Sequence, residues 1–285
     1  MITKLTSISQ KARKEPTLIF TSLYHHITDV NNLRSCYMAL NAHELSGIDR
    51  AIKEAYCRNC DENLHELSAN LKRMGYHPWS PRRAPMPKVS HNMKDSPGIN
   101  LFNNQIVELS FRRVIDPIYA ALFENSNNGN FSEQGGYYAW LSILKKTIRQ
   151  KHVNYIMKGI ITGPFDSVGE AWMMKILKHR IGDPRVLRMI NRMLKAGIMN
   201  NGAHQDAILS PLLWNIYLHY VLDCWLEDKI RTQGTGKIYY YRFLKNLFTC
   251  YQNHEDSLGI INHLNDRLEG FSLELAIKKI IKCHK

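Results

Sequence analysis

A proline-rich segment from Gly75 to Gly98 most restricts how this chain folds, because it separates two regions with different hydrophobic patterns. It holds five prolines and a cluster of basic residues. The residue before each proline is biased toward extended backbone, so the segment opposes helix and predicts an extended hairpin or loop. Residues 3 to 75 are predicted to be helical, with Leu64, Leu67 and Leu71 on one helical face.

Helical and strand-like patterns alternate after the proline-rich segment. Apolar β-like runs occur at Val153–Ile161 and twice within Ile238–Tyr251, where Leu244–Asn246 separates the two runs as in a hairpin. A last strand starts at Leu273, and helices are predicted at Gln105–Phe123, Tyr137–Gln150, Met173–Arg180, Pro184–Ala196, Leu209–Lys229 and His254–Gly270. This order predicts an α+β fold with a small antiparallel sheet backed by helices.

The charge balance points to a polyanionic partner. Lys and Arg number 38 against 25 Asp and Glu, which gives a formal net charge of +13 and a pI near 9.4. Such an excess favours nucleic acid ahead of an anionic membrane surface. The chain is also 44% hydrophobic, so it can bury a core and is not disordered by composition.

The sequence predicts a location in the cytoplasm or an organelle matrix, without membrane association. Met1–Pro16 has basic residues but no apolar core of a secretory signal. The longest uncharged apolar stretch, Ala207–Leu222, contains polar side chains and is short for a membrane span, which favours a buried helix. The six cysteines are scattered, as expected of reduced thiols.

Five segments carry a resemblance to a known family. They are "SGIDR" at 46–50, "PRRAPMPK" at 81–88, "RIGDPRVLRMINRMLKAGIM" at 180–199, "LSPLLWNIYLHYVLDCWLE" at 209–227 and "FSLELAIKK" at 271–279. In this order and spacing they resemble group II intron-encoded and retron-type reverse transcriptases, a family that includes maturases. The resemblance implies a right-hand polymerase fold with a fingers-like region at 1–150 and a palm-like region at 151–285, ending before a thumb.

The resemblance also places the metal-binding carboxylates of that family at positions that carry none here. The first palm strand, "MKGIITGPFD" at 157–166, resembles a family sequence like VEADIKGFFD and puts Ile160 at the aspartate. The YADD turn of the family matches "FLKN" at 243–246, so Lys245 and Asn246 stand where its two aspartates are. No catalytic residue and no metal ligand is therefore implied at these three positions.

Substrate contacts of the family are changed as well. Asp95 and Phe131 stand where the resemblance implies arginines, and Asp206 replaces the glycine after a retained Gln205. Two-metal nucleotidyl transfer needs carboxylate oxygens that hold two Mg²⁺ ions about 4 Å apart. We therefore expect a pseudoenzyme of mobile-element origin, a maturase-like remnant that binds RNA, with intron RNA as the candidate partner. Mg²⁺ is expected only if polymerase activity remains.

The clearest candidate for nucleic-acid contact is a basic cluster in the proline-rich segment, formed by Arg82, Arg83, Lys88 and Lys94. Nearby aromatic residues add stacking surface, which suits an RNA backbone with unpaired bases. A solvated basic loop is the alternative interpretation. The basic stretch Lys175–Lys195 is a second candidate surface, although such runs are often only solvated.

Four further positions have competing interpretations. Gln205 is either a template or nucleotide contact or loop polarity. Lys279 matches a family lysine that the resemblance implies as a general acid to pyrophosphate, and without metal it is either a phosphate contact or a solvated terminal lysine. Asp166 is favoured as a helix cap over a displaced metal ligand. Cys57 and Cys60 are spaced like half of a zinc site, but the second pair of ligands that such a site needs is not evident.

Two alternatives to an inactive RNA-binding protein stay open. One is an active RNA-directed DNA polymerase with rearranged metal ligands, in which Asp166 or Asp206 would bind metal. The other is a decayed mobile-element product without a selected function. The sequence does not specify an RNA target or an oligomeric state.

Overall fold

The computed structural model describes residues 2–41, 56–78, 97–125, 136–163, 167–199, 208–233 and 235–283. Its helices are α1 (Ile2–Lys14), α2 (Tyr24–Ile27), α3 (Val30–Asn41), α4 (Cys60–Lys72), α5 (Pro97–Asn125), α6 (Gly136–Gln150), α7 (Ser167–Lys178), α8 (Pro184–Lys195), α9 (Ser210–Leu218), α10 (Cys224–Gln233) and α11 (His254–Glu269). Its strands are β1 (Tyr155–Thr162), β2 (Ile238–Phe243), β3 (Asn246–Tyr251) and β4 (Glu274–Lys282). None of these helices is both long and apolar enough to cross a membrane.

The chain forms two compact units, each assembled from two stretches of sequence. One comprises Met1–Ile118 with Leu177–Leu213, and the other comprises Tyr119–Ile176 with Trp214–Lys285. The fingers-like and palm-like regions expected at 1–150 and 151–285 are functional divisions, and they stay a prediction.

In the first unit, the start of α8 is fixed by one buried carboxylate. Asp183 caps the helix by accepting hydrogen bonds from the backbone N–H groups of Arg185 and Val186, and Pro184 follows at the first helical position. Its other oxygen accepts from the N–H groups of Leu23 and Tyr24, both at 2.9 Å. Burial raises the pKa of Asp183, but these four backbone bonds lower it more, so the carboxylate stays charged.

The second unit is built on a four-stranded sheet with the order β2–β3–β1–β4, in which every neighbouring pair is antiparallel. Helix α6 packs across one side, which we call the α6 face, through a cluster that includes Leu144, Ile156 and Cys250. The hydroxyl groups of Thr147 on α6 and Tyr241 on β2 are 2.5 Å apart. Side chains alternate along each strand, so Ile156, Lys158 and Ile160 of β1 lie on the same face.

The structure confirms the predicted α+β architecture and refines two of its elements. Leu64, Leu67 and Leu71 are buried together on α4, as the helical periodicity predicted. The helix expected at Leu209–Lys229 is interrupted by a π-helical turn, His219–Asp223, which lies between α9 and α10. A π turn inserts one residue into a helix, and the nearly continuous apolar run from Ala207 to Leu222 hides the resulting shift in periodicity. Residues 79–96 of the proline-rich segment lie outside the described residues.

Candidate functional site

The β2–β3 turn brings together the positions at which the family resemblance implied catalytic aspartates. Phe243 and Asn246 pair across the hairpin, and Leu244 and Lys245 form its tip. Leu244 has a φ of 51°, a left-handed conformation that costs a non-glycine residue roughly 1–2 kcal/mol. Such a turn persists because neighbouring contacts hold it in place.

Hydrogen bonds from the guanidinium group of Arg242 stabilise this turn. Its Nη1 donates to the carbonyl oxygen of Leu244 at 3.0 Å and to Oδ1 of Asn215 at 3.1 Å. Its Nε and Nη2 donate to the two carboxylate oxygens of Asp223 at 2.8 and 2.5 Å. Both side chains are nearly inaccessible, at 7% exposure for Arg242 and 3% for Asp223. The bidentate pair therefore connects the turn to the π-helical turn beneath it.

His219 completes this buried charged cluster. Its Nδ1 lies 3.8 Å from Oδ2 of Asp223, which is an ion-pair distance longer than a hydrogen bond, and its Nε2 lies 3.7 Å from Sγ of Cys224. Burial lowers the pKa of His219, but its interactions with Asp223 and Cys224 raise it more, to about 9. Burial raises the pKa of Asp223, yet Arg242 and His219 bring it below its ordinary value.

Ile160 and Asn246 are direct cross-strand partners on the α6 face. The backbone N–H of Ile161 donates to the carbonyl oxygen of Lys245 at 2.8 Å, which ties β1 to the turn. The side chain of Asn246 makes a long contact, 3.5 Å from its Nδ2 to the carbonyl oxygen of Phe243. The pair therefore offers one aliphatic group and one neutral amide.

The charge of Lys245 is directed to an aromatic ring. Its Nζ lies 4.0 Å from the ring centroid of Trp214 on α9. Burial lowers the pKa of Lys245. A cation over the face of an indole gains roughly 0.5–2 kcal/mol, so this contact stabilises the turn on the helix beneath it.

This arrangement supplies few ligand atoms for a divalent cation. Magnesium prefers several oxygen ligands, chiefly carboxylates, and an ammonium group repels it. Within the described ranges, no three His, Cys, Asp or Glu side chains are grouped so that they could hold a metal ion. Cys57, Cys60 and the nearby His65 belong to those ranges and are not grouped in this way.

Comparison with known proteins identifies relatives along most of the chain, although no protein-family model matches it. It is 25% identical over 274 residues to the group II intron-encoded protein LtrA of Lactococcus lactis, covering 93% of this chain and 44% of LtrA. It is 25% identical over 199 residues to protein YkfC of Escherichia coli, covering 65% of this chain and 52% of YkfC. A 91 kDa protein in the cob intron of Schizosaccharomyces pombe is 29% identical over 133 residues, which are 44% of this chain and 16% of that protein.

The chain is therefore similar over most of its length to a group II intron-encoded protein. It spans less than half the length of LtrA.

The structure does not describe most residues that the basic pattern and the family resemblance singled out for nucleic-acid contact, substrate contact or metal binding. They lie outside the described residues and are Arg82, Arg83, Lys88, Lys94, Asp95, Phe131, Asp166, Gln205 and Asp206. Lys279 is described, and it is exposed on β4 directly opposite Lys158 of β1. The structure therefore brings Ile160, Lys245 and Asn246 together. Lys158, two residues before Ile160 on β1, pairs with Lys279 on β4.

Two arginines of the basic stretch Lys175–Lys195 form hydrogen bonds within the protein. Arg180 is 2% exposed, donates to the carbonyl oxygen of Pro16 and stacks near Phe20. Arg192 donates to the carbonyl oxygens of Met74 and Tyr76 at 2.7 and 2.9 Å. The charge pattern alone placed both on a second candidate surface or a solvated run, but their guanidinium groups donate to backbone carbonyl oxygens.

Sequence reasoning missed the buried polar groups that position the site. Asp223 stands inside an otherwise apolar run, and a buried carboxylate requires a cationic partner, which was the available signal. Glu108 on α5 is a second case, since it accepts from the N–H groups of Ile208 and Leu209 at 2.8 and 3.3 Å, where α9 begins. Burial raises the pKa of Glu108 to about 7 against these hydrogen bonds.

Proposed function

We propose that this chain is a reverse transcriptase-like protein of group II intron origin that binds RNA and does not polymerise DNA. In this proposal it keeps a right-hand polymerase scaffold of fingers and palm. The observation that carries the proposal is the pairing of Ile160 with Asn246 beside the Lys245 turn. The resemblance implies that these three positions hold the catalytic carboxylates in active relatives.

The electrostatics of this pairing oppose metal-dependent nucleotidyl transfer. Two Mg²⁺ ions held about 4 Å apart need several shared anionic oxygens, which stabilise both the attacking and the leaving group. Ile160 has no ligand atom, Asn246 has one neutral oxygen, and Lys245 adds a positive charge. Loss of this preorganised charge removes most of the stabilisation of the transition state.

The surroundings of the site support retention of the scaffold without the chemistry. The Arg242–Asp223 pair and the Lys245–Trp214 contact stabilise the hairpin through buried groups that need no metal ion. A polymerase active site keeps its turn so that the metal ligands are oriented. In this chain, contacts on the side of the sheet opposite the α6 face stabilise the turn.

RNA is the partner that the charge and the relatives favour. The net charge of +13 suits a polyanion, and a group II intron-encoded protein is among the relatives that match most of the chain. We propose that Arg82, Arg83, Lys88 and Lys94 contribute phosphate contacts, with intron RNA as the natural target. Crosslinking in the native cell, followed by sequencing of the bound RNA, tests this part and identifies the target.

Primer extension tests the absence of polymerisation. With a poly(rA) template, an oligo(dT) primer and either Mg²⁺ or Mn²⁺, we expect no DNA synthesis above background. Synthesis would favour the alternative with rearranged ligands. In that case Asp166→Asn or Asp206→Asn should abolish it, and failure of both substitutions to do so would direct attention to a contaminating polymerase.

A further inference from the structure

The α6 face carries a row of four side chains one step from the Ile160–Asn246 pair. The sheet register places Tyr241, Phe248, Lys158 and Lys279 side by side on β2, β3, β1 and β4. We call this the lysine row. Lys158 and Lys279 are both exposed, and they are direct cross-strand partners. Residues two apart on a strand are roughly 6.6–6.8 Å apart, so the row lies beside Ile160 and Asn246.

Two like charges directly opposite each other are unfavourable for a sheet. Directly opposed residues on antiparallel strands have Cβ atoms about 4.5–5.5 Å apart, which brings the two lysine stems side by side. Within the described part of the chain, no carboxylate forms an ion pair with either ammonium group. An anion bound between them would offset this repulsion.

An aromatic ring and an apolar row border the exposed lysine pair. The Nζ of Lys158 lies 5.5 Å from the ring centroid of Phe248, so the aromatic ring restricts where this ammonium group can lie. The next row toward α6 is apolar, with Cys250 and Ile156 in the core cluster. A β-bulge in the β1–β4 pairing follows Lys158, where the register shifts before Gly159 pairs with Ile277. Bulges re-aim side chains next to functional sites.

We infer that Lys158 and Lys279 form a metal-independent phosphate-binding site for single-stranded RNA. This inference rests on the proposed RNA-binding function and gives it a location on the palm-like sheet. Two lysine ammonium groups supply positive charge beside the positions that lack metal ligands. They bind a phosphodiester group of the RNA backbone as point charges, without reading its sequence.

The experiment compares two double variants of the full chain that each remove two positive charges. Lys158→Gln with Lys279→Gln removes the proposed site. Lys237→Gln with Lys282→Gln is the control, because both lysines are exposed but Lys282 faces away from the α6 face and Lys237 precedes β2. Binding of a fluorescein-labelled oligouridylate is followed by anisotropy across a salt series in EDTA, and thermal melting checks that each variant folds.

We expect wild type to bind without divalent cations and the site variant to bind more weakly than the control. Each phosphate group that is no longer bound should reduce the log–log salt slope by about 0.7 for a single strand, so loss of this one phosphate site should reduce it by about 0.7. The slope of the control should fall clearly less. The site variant should melt at the wild-type temperature or above it, because a like-charge pair has been removed.

Equal affinity and equal salt slope in the two double variants would overturn the lysine site and leave RNA binding intact. Absence of binding by wild type would overturn the proposed function together with the site. A third variant guards against a merely structural effect. Lys158→Glu creates an opposite-charge pair with Lys279, so it should weaken RNA binding more than Lys158→Gln without lowering the melting temperature.

Discussion

Ile160 and Asn246 face each other on the adjacent antiparallel strands β1 and β3. The sheet therefore places these two positions side by side, but neither side chain carries a charge. Lys245 lies beside them with its ammonium group over Trp214. The backbone arrangement and the side-chain chemistry of the site are thus separable, and each can be tested.

Restoring the carboxylates should restore metal binding in steps. Lys245→Asp with Asn246→Asp should not support DNA synthesis, because Ile160 still offers no oxygen. Adding Ile160→Asp should create a site for Mn²⁺ and raise the melting temperature as Mn²⁺ is added, since a ligand that binds only the folded state stabilises it.

The matched control carries asparagine at all three positions and should show no such shift. An equal response to Mn²⁺ in wild type, control and triple-aspartate variant would contradict the assignment of these three positions.

The Arg242–Asp223 pair should contribute strongly to stability. Arg242→Met leaves Asp223 charged and buried without its partner, which typically costs about 3–5 kcal/mol. Arg242→Met combined with Asp223→Leu should cost less than Arg242→Met alone, because the buried carboxylate is removed with its partner and His219 can then lose its proton. Urea denaturation of the two variants measures the difference. Equal free energies of unfolding would mean that the pair is not coupled as the hydrogen bonds indicate.

The left-handed conformation of Leu244 predicts an unusual response to glycine. Leu244→Gly should leave the free energy of unfolding unchanged or raise it by up to about 1 kcal/mol, because glycine adopts positive φ without a steric cost. Leu258→Gly is the matched control, since Leu258 is also exposed but lies within α11.

The control should lose about 1 kcal/mol of stability through the low helix propensity of glycine. Denaturation curves that show the same loss for both variants would place Leu244 in an ordinary conformation.

His219 predicts a pH-dependent contribution to stability. Its folded pKa of about 9 exceeds its ordinary value of 6.5, so the folded state binds the proton more tightly than the unfolded state. The contribution is complete below the unfolded pKa and is lost as the pH rises through the folded pKa. Wild type should therefore lose stability relative to His219→Gln between pH 6.5 and 9. A constant difference over this window would exclude a charged His219.

The basic cluster in the proline-rich segment should act on affinity alone. Replacing Arg82, Arg83, Lys88 and Lys94 with alanine should weaken RNA binding and reduce the log–log salt slope by roughly 0.7–0.9 for each phosphate group that is no longer bound. Lys245→Asp with Asn246→Asp should leave RNA affinity nearly unchanged. A salt series that gives the quadruple variant the wild-type slope would remove this segment from the binding surface.

Local sequence patterns predicted most secondary structure because each strand and helix has its own hydrophobic period. The runs on either side of Leu244–Asn246 predicted the hairpin, and Pro184 and Gly197 bracketed α8 and its C-terminal end. The pairing of Asp223 with Arg242 joins residues from different elements, so no local pattern specifies it. Likewise, the stacking of Lys245 on Trp214 depends on how α9 packs under the sheet.

The positions of the candidate site could be predicted from the sequence only where a family motif was matched. Matching the motif "FLKN" to the turn of the family located Lys245 and Asn246, and the register places Asn246 opposite Ile160. Lys158 has no counterpart in that argument. Its significance comes from strand order, because only the pairing of β1 with β4 brings it opposite Lys279.

The most direct test of the central claim measures extension on substrate that is already bound. The protein is saturated with an RNA template annealed to a labelled DNA primer, occupancy is verified by anisotropy, and Mg²⁺ and deoxynucleotides are then added in a single-turnover reaction. The account predicts full occupancy with no lengthening of the primer. Lengthening that depends on Mg²⁺ and proceeds within the bound complex would contradict it.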